Sequence, residues 1–105
     1  MKIIRTSREM MQACKSSESP LGLVPTMGYL HEGHIALVRR ARSENSTLAV
    51  SIFVNPTQFG ANEDFDSYPR DPDRDFVILE KEKVDLVFVP TVEEMFPLSN
   101  TTWID

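Results

Sequence analysis

Apolar residues gather into short runs at 2–4, 21–25, 47–54 and 86–89, and the more polar stretches between them carry helical spacing. The run at 47–54, Thr-Leu-Ala-Val-Ser-Ile-Phe-Val, shows no alternation, which fits a central parallel strand covered on both faces. Met10, Ala13 and Cys14 repeat at helical intervals, as do Ile35, Val38 and Ala41, and then Phe76 and Leu79. Thr6 and Glu9 make a capping box in which hydroxyl and carboxylate each satisfy an orphan backbone N–H. That first helix should fade near Ser16 and Ser17, before Pro20, with Met10 and Met11 as core filler. A second helix is expected from Ile35 to Glu44, stopped at Asn45. Asp71 is a good N-cap with Pro72 at the first helical position. Asp73 and Asp75 in the first turn, and Lys81 and Lys83 at the far end, complement the dipole of this third helix. Asp85 opens a fourth strand. Thr91 and Glu94 box a short helical turn stopped by Pro97, and 101–105 reads as the start of another strand.

Strands alternating with helices imply an α/β fold with a parallel sheet, flanking helices and right-handed crossovers. In such sheets ligands sit beyond the C-terminal strand ends. The turns after residues 25 and 54 both open there, so 27–34 and 55–58 should line one cleft. The long connection from Asn55 to Arg70 has no strong period, as binding loops often do. Its acids Glu63, Asp64 and Asp66 read more simply as solvated.

Chemistry concentrates in Pro25-Thr26-Met27-Gly28-Tyr29-Leu30-His31-Glu32-Gly33-His34. A strand, a glycine-bearing turn and a helix start aim backbone N–H groups and a positive helix end at one spot, where an anion such as phosphate is the natural occupant. Ser, Thr, Asp and Asn are the preferred N-caps. The candidates here are Leu30, His31 and Glu32, so the first-turn donors are expected to stay free for a ligand. Gly28 and Gly33 permit close approach to the main chain. One helical turn brings His31 and His34 near each other, a clamp for polyphosphate. Two other readings stay open on these residues alone: turn punctuation by the glycines, and a metal pair. The zinc-protease pattern needs one residue more between the histidines. Cys14 and the scattered acids offer no further ligands at metal-site spacing, so no metal site is assigned.

The 105 residues make at most one domain, and 41% hydrophobic with 26% charged residues is ordinary for a globular protein. A formal net charge of −5 argues against nucleic acid as the main partner. The basic cluster Arg39, Arg40 and Arg42 reads as a solvated helix face. A single Cys14 excludes an internal disulfide and fits a reducing compartment. With no signal-peptide core and no membrane-length apolar run, a cytoplasmic protein without a membrane partner is the simplest expectation.

The stretch Pro25-Thr26-Met27-Gly28-x-Leu30-His31-x-Gly33-His34 resembles the signature of the pantoate–β-alanine ligases, a version of the His-x-Gly-His motif of Rossmann-like nucleotidyltransferases. A second block is similar to the same family: Phe53-Val54-Asn55-Pro56-Thr57-Gln58-Phe59-Gly60, then Glu63-Asp64 and Tyr68-Pro69-Arg70. The two blocks come in the family's order and distance, and the likeness runs from about Thr6 to Trp103. It implies a two-step ligation. Pantoate's carboxylate attacks the α-phosphorus of ATP to give pantoyl adenylate and pyrophosphate. The amine of β-alanine then displaces AMP. The resemblance places ATP on Met27, Gly28, Tyr29, Leu30, His31, Glu32, Gly33 and His34. His34 is the main catalytic donor, His31 holds the neighbouring phosphates, and Gln58 grips pantoate and β-alanine. Phosphate charge should favour protonated, doubly donating imidazoles. Mg2+ is expected on the ATP phosphates. The family implies a homodimer. It also implies a longer chain whose C-terminal half supplies a lysine, a serine–arginine pair and a second glutamine. Residues 1–105 are then expected to be the N-terminal nucleotide-binding domain, folded at least in part, prone to self-association at an open sheet edge, and with little or no ligase activity alone. Two alternatives remain: a nucleotidyltransferase of the same superfamily acting on a phosphorylated substrate, and a non-catalytic binding module.

Overall fold

Among the described residues four parallel strands carry the fold: β1 (Lys2–Ile4), β2 (Leu21–Thr26), β3 (Thr47–Ile52) and β4 (Leu86–Phe88). They lie in the order β1-β4-β3-β2. The structure, a computed structural model, describes residues 1–58 and 68–95, and at Gln58 the backbone only. The expectations for Phe59, Gly60, Glu63, Asp64, Asp66, Pro97 and the strand at 101–105 lie outside the described residues. Helices α1 (Ser7–Lys15), α2 (Glu32–Glu44) and α3 (Pro72–Lys81) connect the strands, and the short α4 (Val92–Met95) follows β4.

The unbroken apolar run makes β3 the inner strand, with Thr47, Leu48, Ala49 and Val50 all buried. It ends at Ile52, two residues short of the expected 54, where Asn55 and Pro56 turn the chain into a single 3-10 turn over Pro56–Gln58. One face of the sheet joins Val38 of α2 and Leu79 of α3 to Val24, Leu48, Val50 and Val87. The other joins Met10 and Ala13 of α1 to Ile4, Ala49 and Leu86. Met11, expected in the core, is 60% exposed, because α1 turns only its Met10–Ala13 stripe inward.

The caps differ from expectation in instructive ways. Thr6 caps α1 by accepting from Glu9 N–H, but the Glu9 carboxylate takes the Thr6 hydroxyl rather than a backbone N–H. The α1 N–H at Ser7 is satisfied instead by Glu94, from α4 at the other end of the chain. Asp71 caps α3 as expected, accepting from Arg74 N–H, with Pro72 behind it. Asn45 stops α2 with an extended backbone and an amide returned to the Ala41 carbonyl. The arginines of α2 are not a free basic face. Arg39 pairs with Glu82, Arg40 with Glu44 and Arg42 with Asp85. Because all four strands point one way, their C-terminal ends share one edge of the sheet, and the Met27–His34 stretch begins there.

Candidate functional site

From the end of β2 the chain turns sharply. Thr26 Oγ donates to the Ser51 carbonyl and accepts from Gly28 N–H, tying the turn to β3. Gly28 has φ +80° and Tyr29 φ +52°, so two successive residues sit in the left-handed region. A Cβ on Gly28 would lie 3.0 Å from Ile52 and 3.2 Å from the Asp75 carboxylate, so glycine is required for both conformation and space. Successive N–H groups in such a turn form a concave nest suited to an anion. The anion present is the protein's own. Asp75 of α3, 1% exposed, accepts from Tyr29 N–H at 2.8 Å and from Leu30 N–H at 2.9 Å, one oxygen to each.

The helix that follows is capped, contrary to expectation, and by the histidines themselves. His31 is the N-cap of α2, and its Nδ1 accepts from Gly33 N–H at 3.1 Å. In return His34 Nδ1 accepts from His31 N–H at 3.2 Å. The arrangement is a capping box built from two imidazoles, with ring centroids 4.1 Å apart. Imidazole escapes the usual list of caps because only its neutral form offers an acceptor nitrogen. Gly33 leaves room for it, since a Cβ there would meet His31 Cε1 at 3.0 Å.

One expectation therefore changes. The backbone N–H groups of Gly28, Tyr29, Leu30, His31 and Gly33 are already bonded within the protein, so they are not standing donors for a phosphate. An accepting Nδ1 places the proton of each neutral ring on Nε2, leaving one donor per imidazole. His34 is held below the ordinary histidine value by burial first and by neighbouring His31 second, with the Asp75 carboxylate pulling weakly the other way. The side-chain donors this stretch offers are thus the Nε2 atoms of His31 and His34, on one helical turn.

The candidate residues divide by role. Leu30 is buried in the sheet-to-helix core, while Tyr29, His31, Glu32 and Gly33 are exposed. Met27, His34 and Asn55 line one cleft of about 770 Å3 together with Pro25, Thr26 and Ser51. The convergence expected of the turns after β2 and β3 is therefore present for those residues. Gln58 closes the 3-10 turn that continues from Asn55. A second cavity, of about 400 Å3, lies between the 27–29 turn and the start of α3, with Arg5 and Pro90 on its far wall.

Sequence reasoning misses Arg74 and Asp75. Arg74 Nη2 donates to the Leu30 carbonyl at 2.9 Å, and its guanidinium lies 5.5 Å from the centre of the Tyr29 ring. In the sequence Asp75 reads only as a partner of the helix dipole. No local pattern reveals a contact to residues 45 and 46 positions away. Among the described residues no group of three His, Cys, Asp or Glu is placed to hold a metal ion, and no helix is long and apolar enough to cross a membrane.

A family model described as Pantoate-beta-alanine ligase matches residues 1–105. The pantothenate synthetase of Thermotoga petrophila is 56% identical over 108 aligned residues, covering 100% of this chain and 39% of that protein. Among solved structures, pantothenate synthetase from Thermus thermophilus superposes with a TM-score of 0.86 at 49% identity, over 93% of this chain and 35% of that one. A pantoate-β-alanine ligase from Francisella tularensis, complexed with β-γ ATP and β-alanine, gives a TM-score of 0.86 at 40% identity over 92% of this chain and 38% of that one. This chain accordingly spans 39% of the length of its Thermotoga relative. The expected Rossmann-like nucleotidyltransferase fold is the fold found, and the histidine turn stands at its C-terminal sheet edge. From the match along its whole length and these close superpositions, the chain belongs to the pantoate–β-alanine ligase family.

Proposed function

We propose that residues 1–105 form the nucleotide-binding domain of an AMP-forming ligase that joins pantoate to β-alanine through pantoyl adenylate. The observation that carries this reading is the imidazole capping box, which engages both Nδ1 atoms within the helix start and leaves each Nε2 to face a ligand, with His34 bordering the cleft. Attack of the pantoate carboxylate on the α-phosphorus builds negative charge on the phosphoryl oxygens. Donors fixed beforehand stabilise that charge more than they stabilise bound ATP. His34 is the main donor and His31 holds the neighbouring phosphates. Met27 contributes main-chain contacts to the nucleotide from the cleft wall. Glu32 and Gly33 lie on the exposed first turn of α2, where the helix dipole favours phosphate. Gln58 carries the grip on pantoate and β-alanine, since an amide can donate to a carboxylate and accept from a hydroxyl without adding charge. In the second step the amine of β-alanine attacks the acyl carbon, the acyl–phosphate bond breaks and AMP leaves.

Both Asp75 oxygens are engaged and the described residues bring no metal cluster together. Mg2+ is expected on the ATP phosphates as part of the substrate, and no step runs through it. A homodimer in the cytoplasm completes the reading, and the 105 residues alone are expected to show little turnover. The test is pantoate-dependent ATP–pyrophosphate exchange in the full-length enzyme. Exchange that needs pantoate and falls on His34→Ala supports the ligase. Exchange supported only by a phosphorylated substrate transfers the site to a nucleotidyltransferase.

A further inference from the structure

The histidine-bearing turn does not hold itself in place. Gly28 and Tyr29 adopt left-handed backbone angles, and Tyr29 is a bulky residue for which that region is unfavourable. Such a conformation persists only when the surroundings over-determine it. The surroundings are the first turn of α3. Asp75 takes the two N–H groups on one side of the turn, and Arg74 takes the Leu30 carbonyl that follows them. Residues 29 and 30 are gripped from both backbone polarities, and His31, the very next residue, is the N-cap from which His34 is placed.

We infer that Asp75 is a positioning residue for the His31–His34 pair, setting the donors' location through the Tyr29–Leu30 amides rather than touching substrate. The inference rests on the proposed ligase reading. Its physical content is that a carboxylate, and no neutral isostere, satisfies both amides. Asparagine offers one acceptor oxygen and turns an NH2 toward the second N–H. That mismatch lets the turn relax, and a displacement of about 1 Å at a catalytic group can lower a rate by about 100-fold. Asp75→Ala would orphan one buried and one part-buried N–H group and is prone to unfolding, so Asp75→Asn is the informative variant.

The experiment uses the full-length enzyme and three readouts: hydrogen exchange at the Tyr29 and Leu30 amides, the imidazole nitrogen NMR signals of His31 and His34, and pantoate-dependent ATP–pyrophosphate exchange. Asp75→Asn should speed amide exchange at residues 29 and 30, disturb the Nε2–H tautomer signals, and lower kcat by about 100-fold with little change in KM for pantoate. A melting temperature that falls while kcat and the imidazole signals stay at wild-type values would reduce Asp75 to a structural role and overturn the inference. Wild-type enzyme that shows no pantoate-dependent exchange would instead overturn the ligase reading. Loss of activity in His34→Ala alongside unchanged Asp75→Asn would overturn only the positioning role.

Discussion

Two aspartates grip the backbone at opposite edges of the same sheet, and their difference separates architecture from site. At the N-terminal edge Asp85 accepts from Leu48 N–H at 2.8 Å and from Arg42 at 2.7 Å. Arg42 also donates to the carbonyls of Lys83, Asn45 and Ser46, closing the start of β3 and β4 against the end of α2. That carboxylate is half exposed and pairs with Arg42 at 2.7 Å, whereas Arg74 lies 3.9 Å from Asp75. At the C-terminal edge Asp75 is buried, grips two backbone amides, and holds a left-handed turn instead of a regular strand start. The first bracket stabilises geometry the strands already favour. The second imposes geometry the chain would not adopt alone, next to the only two histidines in the sequence. Equal chemistry at the two edges thus has unequal consequences, because only one edge presents unsupported backbone.

The sharpest way to break this contrast is at His34. Removing a fixed donor of this kind lowers a rate by about 100- to 1,000-fold. His34→Ala should therefore abolish most pantoate-dependent exchange, while loss of a capping acceptor costs about 1 kcal/mol of stability. Kinetics and urea unfolding on one preparation check both numbers. Wild-type kcat in this variant would remove the histidine turn from the chemistry.

Arg42→Ala should do the reverse. It strips partners from three carbonyls and from Asp85. A loss of about 2 kcal/mol is expected, as for hydrogen bonds to a charged group, with the ATP dissociation constant of the folded protein unchanged. Calorimetric binding below the lowered melting temperature checks it. Weakened nucleotide binding would mean that the two edges are coupled.

The framework was legible because its signals are local. Asp71-Pro72 marks the start of α3 by its own cap and ring, and 47–52 reads as an inner strand by its unbroken apolar run. The cleft followed from topology, since parallel strands put Met27 and Asn55 at one edge. What the sequence hid was long-range or tautomer-dependent. Asp75 looks like any first-turn acid until the fold sets it under Tyr29. Arg42 belongs to an apparently solvated cluster until β3 and β4 bring carbonyls to it. The two histidines could not be read as caps by residue preference, because capping depends on which ring nitrogen holds the proton.

Gly33→Ala tests that ring geometry more gently. Alanine favours a helix over glycine by about 1 kcal/mol, but its Cβ would press on the His31 ring. The two effects should nearly cancel in stability while the imidazole pair is displaced. Exchange activity should fall about 10-fold with a melting temperature close to wild type. A more stable protein of full activity would show that the capping box tolerates movement of His31.

The smallest effect lies in the acid limb of stability, where the two edges titrate separately. Burial alone would raise the Asp85 carboxyl, but the Leu48 N–H, Arg42 and the N-terminal ammonium outweigh it and hold the group below its ordinary value. Its contribution is present above the usual carboxylate range near pH 3.8 and is lost as pH falls through the lower folded value. His34 is likewise lowered, from 6.5, so its neutral form stabilises the fold above that pH and the contribution fades as pH drops through the folded value. Unfolding free energy followed from about pH 8 downward should therefore decline in two stages, on the order of a pH unit or more apart given the reference values of the two groups. His34→Ala should erase the upper stage and Asp85→Asn should shrink the lower one, to which Glu82, lowered by its bond to Arg39, also contributes. An upper stage that survives His34→Ala and a lower stage unchanged by Asp85→Asn would mean that neither edge controls the acid stability of the fold.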